Sequence, residues 1–215
     1  MMSLQLELDA VAEQIKQKAP PAALASIEKA NDELAKSPLA NLALKIGDSI
    51  PAFELPDASG KLIKSADLLK QGPILLTFYR GEWCPFCNVA LKGLYDYLPA
   101  IKAKGANLIA ISPQTPDYSA ISQNNHAPKI PVLSDLGNKV AREFGLVFTL
   151  SESLRPIYSS FGIDLTAHNG DSSFELPVPA TYLISSNGIV LERFIDVDYR
   201  KRIEPKTALS WLEKI

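Results

Sequence analysis

The chain has 215 residues, 47% of them hydrophobic, 21% charged and 8% aromatic, the proportions of a globular protein with one full-sized core and space for a helical appendage. Twenty-two Lys and Arg against 24 Asp and Glu leave a formal charge of -2, which gives no electrostatic footprint for DNA, RNA or an anionic membrane. The longest apolar run, Pro73–Tyr79, falls far short of the ~20 residues of a membrane span, and Glu7 and Asp9 interrupt the stretch that a secretory leader would keep apolar. A cytoplasmic location is the expectation.

Residues 1–45 read as a helical arm, ahead of a second unit over 46–215. Leu4, Leu8, Val11 and Ile15 share one helix face. Pro20 and Pro21 end that helix, because proline has no N–H and its ring clashes with the preceding turn. A second helical run, Leu24, Ile27, Asn31 and Leu34, extends to Ser37-Pro38. These faces must dock on the main body or on a second subunit, so a homodimer through the arm is one of two options.

From Ile46 the pattern turns to β and α in alternation. Gly47-Asp48 and Asp57–Gly60 bracket a short strand, Ala52–Leu55, and Ser65–Leu68 opens a short helix. Pro73–Tyr79 is apolar throughout, as a central strand covered on both faces requires. A long helix over Cys84–Lys104 and a strand at Asn107–Ile111 complete a βαβ unit with a right-handed crossover. A helix near Asp117–Asn125, a strand at Pro131–Leu133 and a helix at Asn138–Phe144 follow. Residues 146–177 show no period and read as a long functional loop. Ala180–Ser185 and Ile189–Asp196 form a hairpin around Asn187-Gly188. A last helix runs over about Pro205–Lys214, with Pro205 in its first turn. The three basic residues before it, Arg200, Lys201 and Arg202, read as a solvated strand end. The fold class is α/β: a central mixed sheet with flanking helices.

Only two cysteines are present, Cys84 and Cys87. A disulfide between residues three apart closes too short a loop to restrain the unfolded chain by more than ~2 kcal/mol, so the pair suits redox chemistry or metal binding better than stapling. It lies where a buried strand gives way to a helix. With Cys84 as N-cap and Pro85 as the first helical residue, the Cys84 sulfur can accept from the free N–H groups of the first turn, and the helix dipole favours a thiolate. Cys87 follows one turn later. Glu82 opposes ionisation and Arg80, read as the sole cation near the motif, offsets it; Trp83 walls the site.

Trp83-Cys84-Pro85-Phe86-Cys87 resembles the active-site motif of thioredoxin-fold proteins. The chain from about Ile46 onward is similar to the peroxiredoxin superfamily of alkyl hydroperoxide reductases and thiol-specific antioxidant proteins. Gly47–Lys61 resembles the superfamily's opening hairpin, while Leu76–Arg80, Ile109–Ser112 and Pro131–Asp135 resemble its core strands. Pro179–Ile184 with Asn187-Gly188 resembles its last hairpin. The resemblance implies a thioredoxin-like fold, a peroxide substrate, a thioredoxin- or glutathione-type thiol reductant and no cofactor.

Two departures matter. Aligned on Phe78-Tyr79, the peroxidatic cysteine falls on Cys87, with Cys84 at the family's threonine position and Arg80 at its proline position. The family's activating arginine falls on Pro179, where thioredoxin-like proteins carry a cis-proline facing the cysteines, so Pro179 becomes a substrate-positioning candidate with Trp83 and Arg80. The missing arginine argues against a high peroxide rate. These features match a peroxiredoxin-like subgroup with a Cys-x-x-Cys site.

Dithiol logic makes Cys84 the nucleophile, and the peroxiredoxin alignment makes it Cys87. A thiol peroxidase is the leading reading, a thioredoxin-like disulfide reductase the second, and a redox-sensing or metal-binding module the third. The metal reading lacks ligands, since two thiolates are half a zinc site and the two histidines, His126 and His168, are remote in sequence. His168, Arg142 and Arg155 read as surface or ion-paired groups.

Overall fold

The computed structural model describes residues 3–215. The chain runs through helices α1 (Leu4–Lys18), α2 (Pro21–Ala35) and a one-turn α3 (Leu39–Leu42), then a hairpin of β1 (Glu54–Pro56) and β2 (Leu62–Lys64). Helix α4 (Ser65–Leu69), strand β3 (Ile74–Phe78), helices α5 (Pro85–Asp96) and α6 (Leu98–Ala103) and strand β4 (Asn107–Ser112) follow. Next come α7 (Pro116–His126), β5 (Val132–Ser134), α8 (Lys139–Glu143), β6 (Val147–Thr149), a 3₁₀ turn at Glu152–Leu154, α9 (Arg155–Ser160) and α10 (Leu165–Asn169). Strands β7 (Glu175–Pro177), β8 (Ala180–Ile184) and β9 (Val190–Ile195) precede the closing helix α11 (Pro205–Trp211).

Five strands form the central sheet in the order β5-β4-β3-β8-β9. β3 pairs parallel with β4 and antiparallel with β8, which pairs antiparallel with β9. Alternation along the buried strands feeds two cores, one on each face. Leu75, Leu108, Ala110 and Leu183 meet α1, α5 and α11 on one side. Leu76, Phe78, Ile109, Ile111 and Tyr182 meet the β1–β2 hairpin and Phe144 on the other. Leu4 and Leu8 of α1 are buried in the first core, so the arm docks on its own body.

This topology decides what meets the cysteines. β3 points toward Cys84, and β8 and β9 reverse direction in turn, so the chain leaving β9 emerges at the sheet end where β3 stops.

Two expectations are corrected. The helix foreseen over Cys84–Lys104 is two helices broken at Tyr97, because Pro99 cannot donate to the turn behind it. Residues 146–177 are not a loop: β6 pairs with β7, and Leu150, Leu154, Leu165 and Leu176 form a small third core that also gathers Trp83, Tyr158 and Phe174. Those leucines come from three short elements and the connection after β6, which leaves no single period to read. The result is an α/β fold of thioredoxin-like type, with a central mixed sheet and flanking helices.

Candidate active site

β3 ends at Phe78, and six residues later Cys84 stands at the entry to α5, with Pro85 at the first helical position. Buried and part-buried hydrogen bonds hold the connection. The Glu82 N–H donates to Gln114 Oε1 at 2.9 Å, and Asn88 Nδ2 donates to the Glu82 carbonyl at 2.7 Å. Gln114 Nε2 donates to the Tyr79 hydroxyl at 3.0 Å and to Ser122 at 2.9 Å. Gly81, at φ +150°, is obligatory: a Cβ there would stand 2.5 Å from Trp83 Nε1, so the indole folds back over the loop only because the side chain is missing.

Both cysteines are free thiols and both are buried, Cys84 at 3% exposure and Cys87 at 1%. Burial raises the Cys87 pKa, but four favourable contacts outweigh it and hold the thiol well below its ordinary value. These are the Cys84 thiol beside it, the Arg202 charge, the Arg80 backbone N–H and the Arg80 charge. Arg202 Nη2 lies 3.4 Å from Cys87 Sγ. Cys84 moves the opposite way: burial, then the neighbouring Cys87 sulfur, push its pKa up against the weaker pull of Arg202 and Arg80. The two opposite shifts favour a thiolate at Cys87 over one at Cys84.

Several expectations change here. Arg202 is half-buried against Cys87 instead of solvated, and Arg80 is not the only cation at the motif. Arg202 also donates to the carbonyls of Tyr199 and Lys201, which fixes its guanidinium. The positive charge that position 179 does not offer the sulfur is therefore supplied by Arg202, from beyond β9. The cue was present in the sequence: a hairpin after a parallel pair returns the next residues to the motif's end of the sheet. The Cys84 side chain caps no first-turn N–H. Glu82 raises the pKa of His126 and His168 in opposition to their burial, and its backbone is what serves the loop. The Val178–Pro179 peptide is trans, as are all peptides among the described residues. By register Pro179 stands across from Tyr79, one position past the Phe78–Ala180 pair. His168 is buried and packs on Tyr118 at 4.0 Å, so it is no surface residue. Arg142 pairs with Glu175 and Arg155 with Glu152 at 3.9 Å, as ion-paired groups should, and Arg155 also lies 4.2 Å from the Phe174 ring centroid.

Two spaces adjoin the pair. A cavity of about 20 Å³ touches Cys87, Thr77, Tyr79, Thr181 and Arg202, enough for a single water-sized group. A groove of about 450 Å³ opens on Cys84, floored by Arg80, Trp83 and Phe86, with α1 on one side and Tyr158, Phe161 and Ile163 on the other.

A lowered thiol with a second thiol one turn away, at a strand-to-helix junction of a thioredoxin-like sheet, defines a thiol-dependent oxidoreductase. The sequence profile of the AhpC/TSA family matches residues 46–193, and the chain belongs to that family. Peroxiredoxin Bcp of Escherichia coli is 31% identical over 48% of this chain and 65% of its own length. Thiol-disulfide oxidoreductase ResA of Bacillus anthracis is 25% identical over 80% of this chain and 79% of its own. The crystal structure of peroxidoxin BcpB from Mycobacterium tuberculosis superposes with a TM-score of 0.61, covering 80% of this chain and 98% of that one at 24% identity, a likeness of fold. The protein is a peroxiredoxin-like thiol peroxidase or oxidoreductase. The match ends before Arg202 and begins after the arm.

Proposed function

We propose that the protein reduces hydroperoxides through a Cys84/Cys87 cycle in which Cys87 attacks and Cys84 resolves. The observation that carries this is the contact of Arg202 with Cys87 Sγ, because only the thiolate is nucleophilic. The Cys87 thiolate attacks the distal peroxide oxygen, the O–O bond breaks, and the departing oxyanion takes the Cys84 proton. Cys87 is then a sulfenic acid, whose oxygen the 20 Å³ cavity can house beside Arg202. The Cys84 thiolate attacks the Cys87 sulfur, the disulfide forms and hydroxide leaves, to be protonated by solvent. A thioredoxin- or glutathione-type thiolate then attacks Cys84 Sγ from the groove. Cys87 is the better leaving group because Arg202 stabilises its thiolate, and a second donor thiol resolves the mixed disulfide.

This reading assigns the reaction to residues 46–215, in a reducing compartment such as the cytoplasm. Arg80 and Trp83 act at the groove floor. Pro179 remains a positioning group for the loop before Ala180, behind Tyr79. The assembly proposed is a homodimer, and a sedimentation mass equal to one chain would remove that part.

Stopped-flow tryptophan fluorescence of the reduced protein with hydrogen peroxide tests the cycle, since Trp83 adjoins Cys84. We expect oxidation at least about a hundredfold faster than a free thiol, lost in Cys87→Ser. Cys84→Ser should keep the first oxidation and lose turnover. Retention of the rate in Cys87→Ser would overturn the assignment.

The second reading, disulfide reduction, is favoured by one observation: Cys84, not Cys87, lines the groove. It expects a mixed disulfide on Cys84 in Cys87→Ser treated with a protein disulfide, together with a peroxide rate no higher than that of a free thiol.

A further inference from the structure

A second cavity, of about 230 Å³, opens between α2 and the segment from Phe148 to Leu154, and Arg80 and Tyr158 line both it and the groove on Cys84. Neither cysteine lines it. Arg80, 3% exposed, brings a full positive charge to its wall, and the Arg80 Nε–H has no acceptor among the described residues. No carboxylate of the described residues lies within ion-pair distance of that guanidinium. Aromatic rings hold it, with centroids at 4.5 Å for Tyr199 and 5.2 Å for Phe148, and they steady the cation without offering its N–H groups an acceptor. From α2, the Asn31 Nδ2 amide lines the same cavity and is also buried without an acceptor. Buried donors left unmatched are costly, and a cavity walled by one charged and one neutral set favours a ligand that brings acceptors and a negative charge.

We propose that this cavity binds a small monocarboxylate with an apolar body, the carboxylate on Arg80 and Asn31 and the body against Leu34, Leu150 and Leu154. A planar guanidinium presents its N–H donors in a rigid fork, which the two oxygens of a carboxylate match. One buried cation calls for one negative charge. A dianion such as phosphate would leave a second charge buried without a partner, and Glu33, which also lines the cavity, would oppose it. Ala30, Leu34, Phe148, Leu150 and Leu154 supply the apolar surface that a hydrocarbon body needs. The α2 wall lies outside the stretch that the family profile matches, so the site is built in part by the arm. Occupancy bears on the cysteines. The Arg80 charge also favours a thiolate at Cys87, so a carboxylate on Arg80 and a thiolate on Cys87 draw on one cation and oppose each other. By reciprocity, closing the Cys84–Cys87 disulfide removes the thiolate and tightens carboxylate binding, whichever oxidant closes it.

The test is isothermal titration calorimetry of the full-length protein with hexanoate, compared with 1-hexanol and inorganic phosphate at one pH and ionic strength. Hexanoate is expected to bind saturably at a single site, at least about 10-fold more tightly than the alcohol, which lacks the charge, or the phosphate. Asn31→Leu, close in size, removes one set of donors and is expected to weaken hexanoate about 10-fold. Ala19→Phe, which fills the groove on Cys84 from α1, is expected to leave it unchanged. The disulfide form is expected to bind at least about fivefold more tightly than the reduced form. Failure of hexanoate to saturate, or equal binding of hexanol or phosphate, would overturn the assignment. Affinity kept in Asn31→Leu and lost in Ala19→Phe would place the ligand in the groove and overturn it as well. Should Asn31→Leu fail to fold, the two comparison ligands and Ala19→Phe decide the matter. Equal affinities of the reduced and disulfide forms would overturn the opposition to the thiolate.

Discussion

At the scale of single residues the site is a problem of where one negative charge settles. Cys84 and Cys87 share burial, which disfavours any thiolate; the Cys84 thiol beside Cys87 and then the Arg202 charge, in contact with Cys87 Sγ, favour the charge on Cys87. Removing the nearer charge should therefore act on reactivity through ionisation. In Arg202→Gln the thiolate absorbance at 240 nm should titrate at higher pH than in the unmodified protein. The peroxide rate at neutral pH should hold until that titration reaches neutral pH and then drop about tenfold for each further unit, while the rate at lower pH falls first. An unchanged titration with a lost rate would mean that Arg202 acts on the peroxide and not on the sulfur. The sequence made the Cys-x-x-Cys motif and its strand-to-helix setting legible, because those residues are contiguous. Arg202 was not legible in the same way: it lies 115 positions from Cys87, and local pattern carries no information about that contact.

Among the elements, the segment between β9 and α11 is the one on which the site depends, and the arm holds it on both sides of Arg202. Two residues before it, Arg200 pairs with Asp198 at 2.8 Å and reaches Glu28 of α2 at 2.6 Å. Two residues after it, the Glu204 carboxylate accepts from the Leu4 N–H at 3.1 Å and the Gln5 N–H at 3.0 Å, at the α1 end where backbone donors are free. Glu204→Gln should weaken this hold and lower stability by about 1 kcal/mol, read as a urea midpoint shift. It should also move the Cys87 titration upward in part, an effect that a purely structural contact would not have. Glu28→Gln should do less, because the Glu28 ion pair is largely exposed. The amphipathic face of α1 could be read directly from Leu4, Leu8, Val11 and Ile15. What that face covers could not, since its partners on α5 and α11 are set by the fold.

For the molecule as a whole, the charge on Cys87 ties redox state to folding. The folded-state pKa of this thiol lies below that of the unfolded chain, so across the interval between them the unfolded state binds more protons and stability rises with pH. That stabilisation is lost as pH falls through the Cys87 pKa in the folded state. Urea midpoints of the reduced protein between about pH 6 and 8 should climb relative to those of Cys87→Ser; parallel curves would mean that no thiolate is held at Cys87. The central sheet was legible at this scale, because β3, β4, β8 and β9 announce themselves as apolar or alternating runs bounded by turn residues. The stretch over 146–177 escaped because its core is assembled from pieces too short to carry a period, and with it escaped the far wall of the groove.

The order in which the chain is made gives the arginine at position 202 one more consequence. A ribosome releases the cysteines long before it releases Arg202, and the segment bearing Arg202 needs the earliest helices already docked to hold it. Throughout synthesis the nascent chain thus carries two ordinary thiols. The Cys87 sulfur gains its arginine contact only once the segment after β9 has been made and has docked on α1 and α2, so a nascent chain that stops short of that segment carries the motif without this charge and should be the slower to oxidise.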